Sequence, residues 1–254
     1  SPGYPVSLFV EDDNGCTNTF TDYVAVSNLP NPDISFTSSI TGLEACEGDI
    51  VQVSDNTIYS DFVSNSINWS ISPAASITTS SSNPATINLS NVGTHTITLD
   101  VTDINNCPAT TSIIIDVWDN PTAVINPITT VCEDLLNLII PTNLTHSSLP
   151  GSGALIQYYW DFGDLTDETI LSPFNGNTTH FYNCGNYDVN LTVTDNNGCT
   201  NSSTTEIATV NCNPTANFDV LPICLDPSST NPSTFTSTST PISGTNITSF
   251  NYEF

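Results

Sequence analysis

The 254 residues contain no lysine and no arginine, against 26 Asp plus Glu. No side chain can therefore pair with either cation, and the cationic clamps that hold phosphate or carboxylate substrates are missing. A formal net charge of −26 repels nucleic acid, which is excluded as a partner. Charged residues are still only 10% of the chain, so the surface is mainly Ser, Thr and Asn, and the expected role of the acid is solubility. Methionine is absent too, and there is neither a signal peptide nor a run of about 18 apolar residues. No membrane insertion is expected within this stretch, which reads as an internal window of a longer exported protein. No segment sustains a 3.6-residue apolar period, so helices are not expected. C-x-x-C pairs, zinc-type Cys/His clusters, G-x-S-x-G, phosphate loops and dinucleotide fingerprints are all missing, and we expect no enzyme activity.

What the chain does have is repetition. Trp69 and Trp160 are 91 residues apart, and Trp160 and Tyr252 are 92 apart. A second landmark keeps the same spacing: the cysteines of Asp12-Asp13-Asn14-Gly15-Cys16, Asp103-Ile104-Asn105-Asn106-Cys107 and Asp195-Asn196-Asn197-Gly198-Cys199 are 91 and 92 residues apart. Two landmarks with one period mean tandem units. Within each unit apolar residues alternate: Val6, Leu8 and Val10 match Ile97, Leu99 and Val101, and then Val189, Leu191 and Val193. This is a strand with one buried face. The Asp/Asn/Gly turn leads into a second strand, expected at 23–26, 113–117 and 206–210, which completes a hairpin.

Pro-containing joins at Pro30, Pro121 and Pro214 follow the hairpins and mark unit boundaries. Each precedes a strand, Asp33-Ile34-Ser35-Phe36, Ala123-Val124-Ile125 or Ala216-Asn217-Phe218, and then a cysteine, Cys46, Cys132 or Cys224. The expected organisation is 1–28, the last strands of one repeat; 32–118 and 121–212, two complete units; and 214–254, the first strands of another. Eight cysteines beside three histidines point to disulfides and an oxidising, extracellular compartment.

Trp160-Asp161-Phe162-Gly163-Asp164, then His180-Phe181-Tyr182, then Gly185-Asn186-Tyr187-Asp188-Val189-Asn190-Leu191-Thr192-Val193-Thr194-Asp195 resemble the W-D-F-G-D, H-x-Y and G-x-Y-x-V-x-L-x-V-x-D elements of the PKD (polycystic kidney disease) domain. The unit 121–212 carries them all. The unit 32–118 keeps Trp69 and the late strand but has Ser70 and Ser72 in place of the acid and glycine, and resembles an Ig-like relative. The resemblance implies an all-β fold of Ig-like sandwiches in tandem, head to tail, as in large surface adhesins of gliding and biofilm-forming bacteria. The expected role is a structural stalk of a cell-surface adhesin or filament, with carbohydrate-binding accessory modules of a secreted polysaccharide-degrading enzyme as the alternative. Expected partners are neighbouring repeats of the same chain, and beyond them surface polysaccharide or self-association.

The aromatics of the motif are expected in the core, with Asp161 and Asp164 capping amides of the Gly163 turn rather than acting as acid and base. His180 fits the family's structural histidine, while His95 and His146 are expected at the surface or half-buried. No cofactor is expected apart from calcium, for which Asp12, Asp13, Asp103 and Asp195 are the candidate oxygen ligands, with solvated turn acids as the default reading. Cys184 and Cys212 flank one hairpin at the same end and are expected to bond. In the implied Ig-like topology, the strand cysteines (Cys46, Cys132) and hairpin cysteines (Cys107, Cys199) lie at opposite ends of a domain. A seven-residue strand spans roughly 23 Å, beyond the approximately 7 Å limit between disulfide-bonded Cα atoms. A head-to-tail stack then implies a Cys46–Cys199 bond across a joint, with Cys16, Cys107, Cys132 and Cys224 seeking partners outside the window.

Overall fold

The computed structural model describes residues 3–26, 28–59, 64–73, 76–77, 81–133, 141–220, 235–242 and 245–251. Cys224 and residues 252–254, which end the third aromatic echo, lie outside the described residues. All twenty regular elements among the described residues are β-strands, and among those residues no helix is long and apolar enough to cross a membrane. The chain divides into two compact units. The first holds Ser1–Asn120 together with Gly151–Gly153 and Asn197–Cys199, and the second holds Pro121–Pro150, Ala154–Asn196 and Thr200–Phe254.

The first unit begins with an antiparallel hairpin of β1 (Tyr4–Glu11) and β2 (Thr17–Val24). Eight strands follow: β3 (Ile34–Thr37), β4 (Glu44–Cys46), β5 (Ile50–Asp55), β6 (Ser64–Ser72), β7 (Ser76–Ile77), β8 (Ala85–Asn88), β9 (Gly93–Asp103) and β10 (Pro108–Trp118). They form two four-stranded sheets, ordered β4-β10-β9-β6 and β3-β5-β8-β7. Alternation explains the layers. On β9, Ile97, Leu99 and Val101 face inward and are buried, with Trp69 and Ile115 from the same sheet and Val51, Val53 and Ile87 from the other. Burying each Leu or Ile contributes about 1.5–3 kcal/mol.

The second unit holds β11 (Val131–Cys132), β12 (Thr142–Leu144), β13 (Leu155–Asp161), β14 (Asp167–Leu171), β15 (Thr178–His180), β16 (Gly185–Asp195), β17 (Thr200–Ser202), β18 (Glu206–Asn211), β19 (Phe218–Val220) and β20 (Phe235–Ser237). Its main sheet runs β11-β18-β16-β13-β14, with β17 also on β16, and β12-β15 forms a small second sheet. Trp160, Val189, Leu191 and Val193 meet Leu144 in the core. Strands β19 and β20 pair separately.

Two local expectations change. The returning hairpin strands start directly after the turn in β2 and β10, where Thr17 pairs with Glu11 and Pro108 with Thr102. Their Thr-rich first halves show little apolar alternation, so the sequence pattern understated their length. In the second unit the return is broken: Ser203 donates its N–H to the Leu191 carbonyl at 2.8 Å and accepts the Leu191 N–H on its Oγ at 3.1 Å, separating β17 from β18. The strand expected at Ala123-Val124-Ile125 is reduced to isolated bridges, Thr122 with Leu149 and Ile125 with His146.

Candidate functional site

The aromatic and acidic motif lies at the end of β13. Trp160 points into the core, fully buried, opposite Leu191 of β16. Its indole N–H donates to the Gly176 carbonyl at 2.8 Å, which satisfies the one polar atom that burial would leave bare. Asp161 Oδ1 accepts the Gly163 N–H at 3.0 Å, and Asp164 Oδ1 accepts the Thr166 N–H at 3.1 Å. Gly163 has φ +75°, and a Cβ there would lie 2.4 Å from the Asp188 carbonyl oxygen, so no other residue fits this turn.

The other motif residues form a column against that turn. Phe162 stacks on His180 with ring centroids 3.9 Å apart, His180 meets Tyr182 edge-on at 4.6 Å, and Tyr182 stacks on Tyr187 at 4.4 Å. The Tyr182 hydroxyl donates to the Phe162 carbonyl at 3.0 Å, and Asp164 Oδ2 lies 2.8 Å from His180 Nε2. Burial alone would raise the Asp164 carboxyl, but hydrogen bonds from Thr166 and His180 and the charge of His180 outweigh it and hold the pKa below the usual 3.8. Burial pushes the Tyr182 phenol up, and the charges of Asp164 and Asp161 add to the rise. These partners are bound to one another and to the backbone, so the arrangement fastens the turn to β15 and β16.

Trp69 takes the same place in the first unit, opposite Leu99 of β9, with its indole N–H on the Ser82 carbonyl at 3.1 Å. Ser70 and Ser72 follow it, without the acid-lined turn. Tyr158 and Tyr159 fall on opposite faces of β13, Tyr158 buried and Tyr159 exposed, so they do not form an aromatic row. Of the other histidines, His146 is half-buried. His95 corrects the sequence reading: it is fully buried, with its ring nitrogens 3.2 Å from the Pro73 carbonyl and 2.8 Å from the Asn91 carbonyl. It lies on the inward face of β9, in phase with Ile97, which the apolar alternation did not include.

The candidate calcium residues organise hairpin turns. Asp12 Oδ1 accepts the N–H of Asn14 at 3.0 Å and of Cys16 at 2.8 Å, and Asp103 Oδ1 accepts those of Asn105 and Cys107, both at 2.8 Å. In each turn the residue before the cysteine has positive φ: Gly15 +79°, Asn106 +61° and Gly198 +90°. Asp13 is exposed and accepts the Asn14 side-chain amide at 3.2 Å. Asp103 and Asp195 are fully buried, a correction to the reading of them as solvated turn acids, because each occupies the last inward position of its strand. Among the described residues no three His, Cys, Asp or Glu side chains gather as a metal site would require.

Four cysteines are joined in pairs. Cys184, beside the start of β16, bonds Cys212, just past the end of β18, with Cα atoms 4.8 Å apart. Within the first compact unit, Cys46 bonds Cys199 with Cα atoms 5.6 Å apart, and Gly198 lies against Ile40, which a Cβ on the glycine would approach to 3.0 Å. Sequence reasoning missed the corner that holds the strand cysteine. Cys46 is opposite Trp118, Glu47 donates its N–H to the Trp118 carbonyl at 2.8 Å, and the Asn120 side-chain amide donates to the Glu47 carbonyl at 2.8 Å. Asn213 does the same for the Glu133 carbonyl at 2.5 Å. The recurring dipeptides Cys-Glu and Asn-Pro were the available signal.

Residues 118–210 match the family model of the PKD domain, a non-catalytic kind of module. No curated protein matches the sequence. Fibronectin(III)-like modules of CbhA from Clostridium thermocellum are similar in structure, at 12% identity over 71% of this chain and 95% of theirs, TM-score 0.40. A 1.5-MDa bacterial ice-binding adhesin gives 15% identity over 82% and 74%, TM-score 0.35. Protocadherin gammaB7 EC3-6 gives 16% over 94% and 69%, TM-score 0.28. At these values no property passes from those proteins to this chain.

Proposed function

We propose that this chain, part of which matches the PKD domain, is a structural stalk segment of a long extracellular repeat protein, a cell-surface adhesin or filament. The observation that carries the reading is that the aromatic, acidic and disulfide-bonded residues of the repeated motifs are engaged in fastening turns, loops and strands within the modules. Trp160, Asp161, Phe162, Gly163 and Asp164 lock a turn, and the hairpin aspartates cap their own loops. Cys46, Cys199, Cys184 and Cys212 are bonded. Such modules work mechanically. Each buries its own core, disulfides transmit tension through covalent bonds, and a surface of one sign of charge keeps the stalk dispersed, within the roughly 8 Å reach of screened repulsion. The partners are neighbouring repeats, with surface polysaccharide or other copies met at the ends of the stalk.

The test is location and redox state in the producing cell. Protease treatment of intact cells should remove the protein, and non-reducing mapping should recover both disulfides. Recovery from the cytoplasm with Cys46 and Cys199 as thiols would overturn the reading. Retention on insoluble polysaccharide by a chain carrying an attached hydrolase would favour the accessory-module alternative.

A further inference from the structure

We infer that Cys132 is the acceptor of a hairpin cysteine from a further repeat of this kind, so that one type of disulfide recurs along the assembled protein. The inference rests on the stalk reading and concerns a thiol that no disulfide among the described residues uses.

Cys132 and Cys46 occupy equivalent positions in their units. Cys46 ends β4, which runs parallel to β10 with Cys46 opposite Trp118, and Cys132 ends β11, which runs parallel to β18 with Cys132 opposite Asn211. The next residue is Glu in both, and its N–H donates to the carbonyl of the residue opposite the cysteine: Glu47 to Trp118 and Glu133 to Asn211, both at 2.8 Å. The Glu carbonyl in turn accepts the side-chain amide of the Asn in the Asn-Pro join, Asn120 or Asn213. The two corners thus agree in strand direction, register and clamp.

They differ in occupancy. Cys46 is buried and bonded to Cys199, the last residue of an Asp-x-x-x-Cys hairpin turn. Cys132 is exposed, with no disulfide. A corner built to the same pattern, with its sulfur presented to solvent, fits the same kind of ligand: a thiol at the fifth position of an Asp-capped turn. The sequence holds such turns at Asp12–Cys16 and Asp103–Cys107 besides the one already used, and Cys16 is an exposed thiol. The hairpin can come from another repeat of the same polypeptide or from a second copy, and the chemistry is shared.

The bond forms by two exchanges with a disulfide oxidant such as oxidised glutathione. The Cys132 thiolate attacks one glutathione sulfur and releases a glutathione thiolate. The hairpin thiolate then attacks the Cys132 sulfur and releases the second. Two protein thiols lose two protons and two electrons, one disulfide forms, and the oxidant's disulfide is reduced.

The experiment is disulfide mapping of the native protein with thiols alkylated before denaturation. An Asp-directed protease must be used, because a chain without Lys or Arg offers trypsin no site. The expected result is a Cys132 peptide linked to an Asp-x-x-x-Cys hairpin peptide. A partner peptide absent from these 254 residues identifies a further repeat. In a parallel mixture of 14N- and 15N-labelled chains in glutathione buffer, a Cys132–Cys16 pair of mixed isotope identifies a second copy, and Cys132→Ser should abolish it. Alkylated Cys132, or Cys132 linked elsewhere than to a hairpin, beside intact Cys46–Cys199 and Cys184–Cys212 bonds, overturns this inference alone. Alkylation of all the cysteines overturns the extracellular reading with it.

Discussion

Strands β1 and β9 belong to the same compact unit and carry nearly the same message, Val6, Leu8 and Val10 in one and Ile97, Leu99 and Val101 in the other, yet they meet opposite fates. Leu8 is 62% exposed and Leu99 is wholly buried. Both strands lead into Asp-capped turns and pair with the strand that follows. What β9 has in addition is β6 along its other edge, with Trp69 opposite Leu99, and a second sheet across the core. Among the described residues β1 pairs with β2 alone, so Tyr4, Val6, Leu8 and Val10, with Phe20 and Val24 across the pair, form an apolar face in solvent. Alternation makes a strand two-faced, but only a partner surface makes one face a core.

The contrast is broken most directly at the matched leucines. Leu99→Ala should cost about 3–4 kcal/mol in urea unfolding, whereas Leu8→Ala should change stability by less than about 0.5 kcal/mol. Equal losses would mean that the β1–β2 face is covered in solution. A second comparison sets the strand pairs β16–β18 and β9–β10 side by side. The former is closed by Cys184–Cys212, and the latter has Val92 at the position matching Cys184. Cys184→Ala should cost the second unit about 3 kcal/mol, the usual effect of removing a cross-link across a short loop, and dithiothreitol should lower the melting of wild type toward that of the variant.

The two Asp-capped turns differ in the same way. Asp103→Ala strands two amides beneath a buried side chain and should cost about 1–2 kcal/mol, while Asp12→Ala, in an exposed turn, should cost less than about 1 kcal/mol. Hydrogen exchange at the Asn105 and Cys107 amides should accelerate in the former. The smallest effect is acid sensitivity. The folded pKa of Asp164 lies below 3.8, so its contribution is complete above the unfolded value and is lost as the pH falls through the folded one. Between about pH 4 and pH 2, wild type should therefore lose stability faster than Asp164→Asn. Equal slopes would mean that the carboxylate adds nothing beyond its place in the turn.

Much of this was legible beforehand because it is periodic. The 91- and 92-residue spacings, the alternation on β1, β9 and β16 and the turn residues Gly15, Gly163 and Gly198 reflect local backbone rules that hold wherever the segment lies. Partnerships between distant segments were not legible in the same way. His95 occupies an inward position that alternation assigns to an apolar residue, and its carbonyl partners at Pro73 and Asn91 come from turns no pattern announces. The Asn120–Glu47 and Asn213–Glu133 clamps join residues 73 and 80 positions apart.

By itself the sequence determined an all-β chain of repeated strands and turns, because period-two alternation, glycine at positive φ and aspartate beside backbone amides act over a few residues. Only the tertiary structure decided which apolar faces become cores and which aspartates are buried. Those outcomes depend on a second surface arriving from a remote part of the chain, and burial, unlike turn geometry, belongs to both surfaces at once.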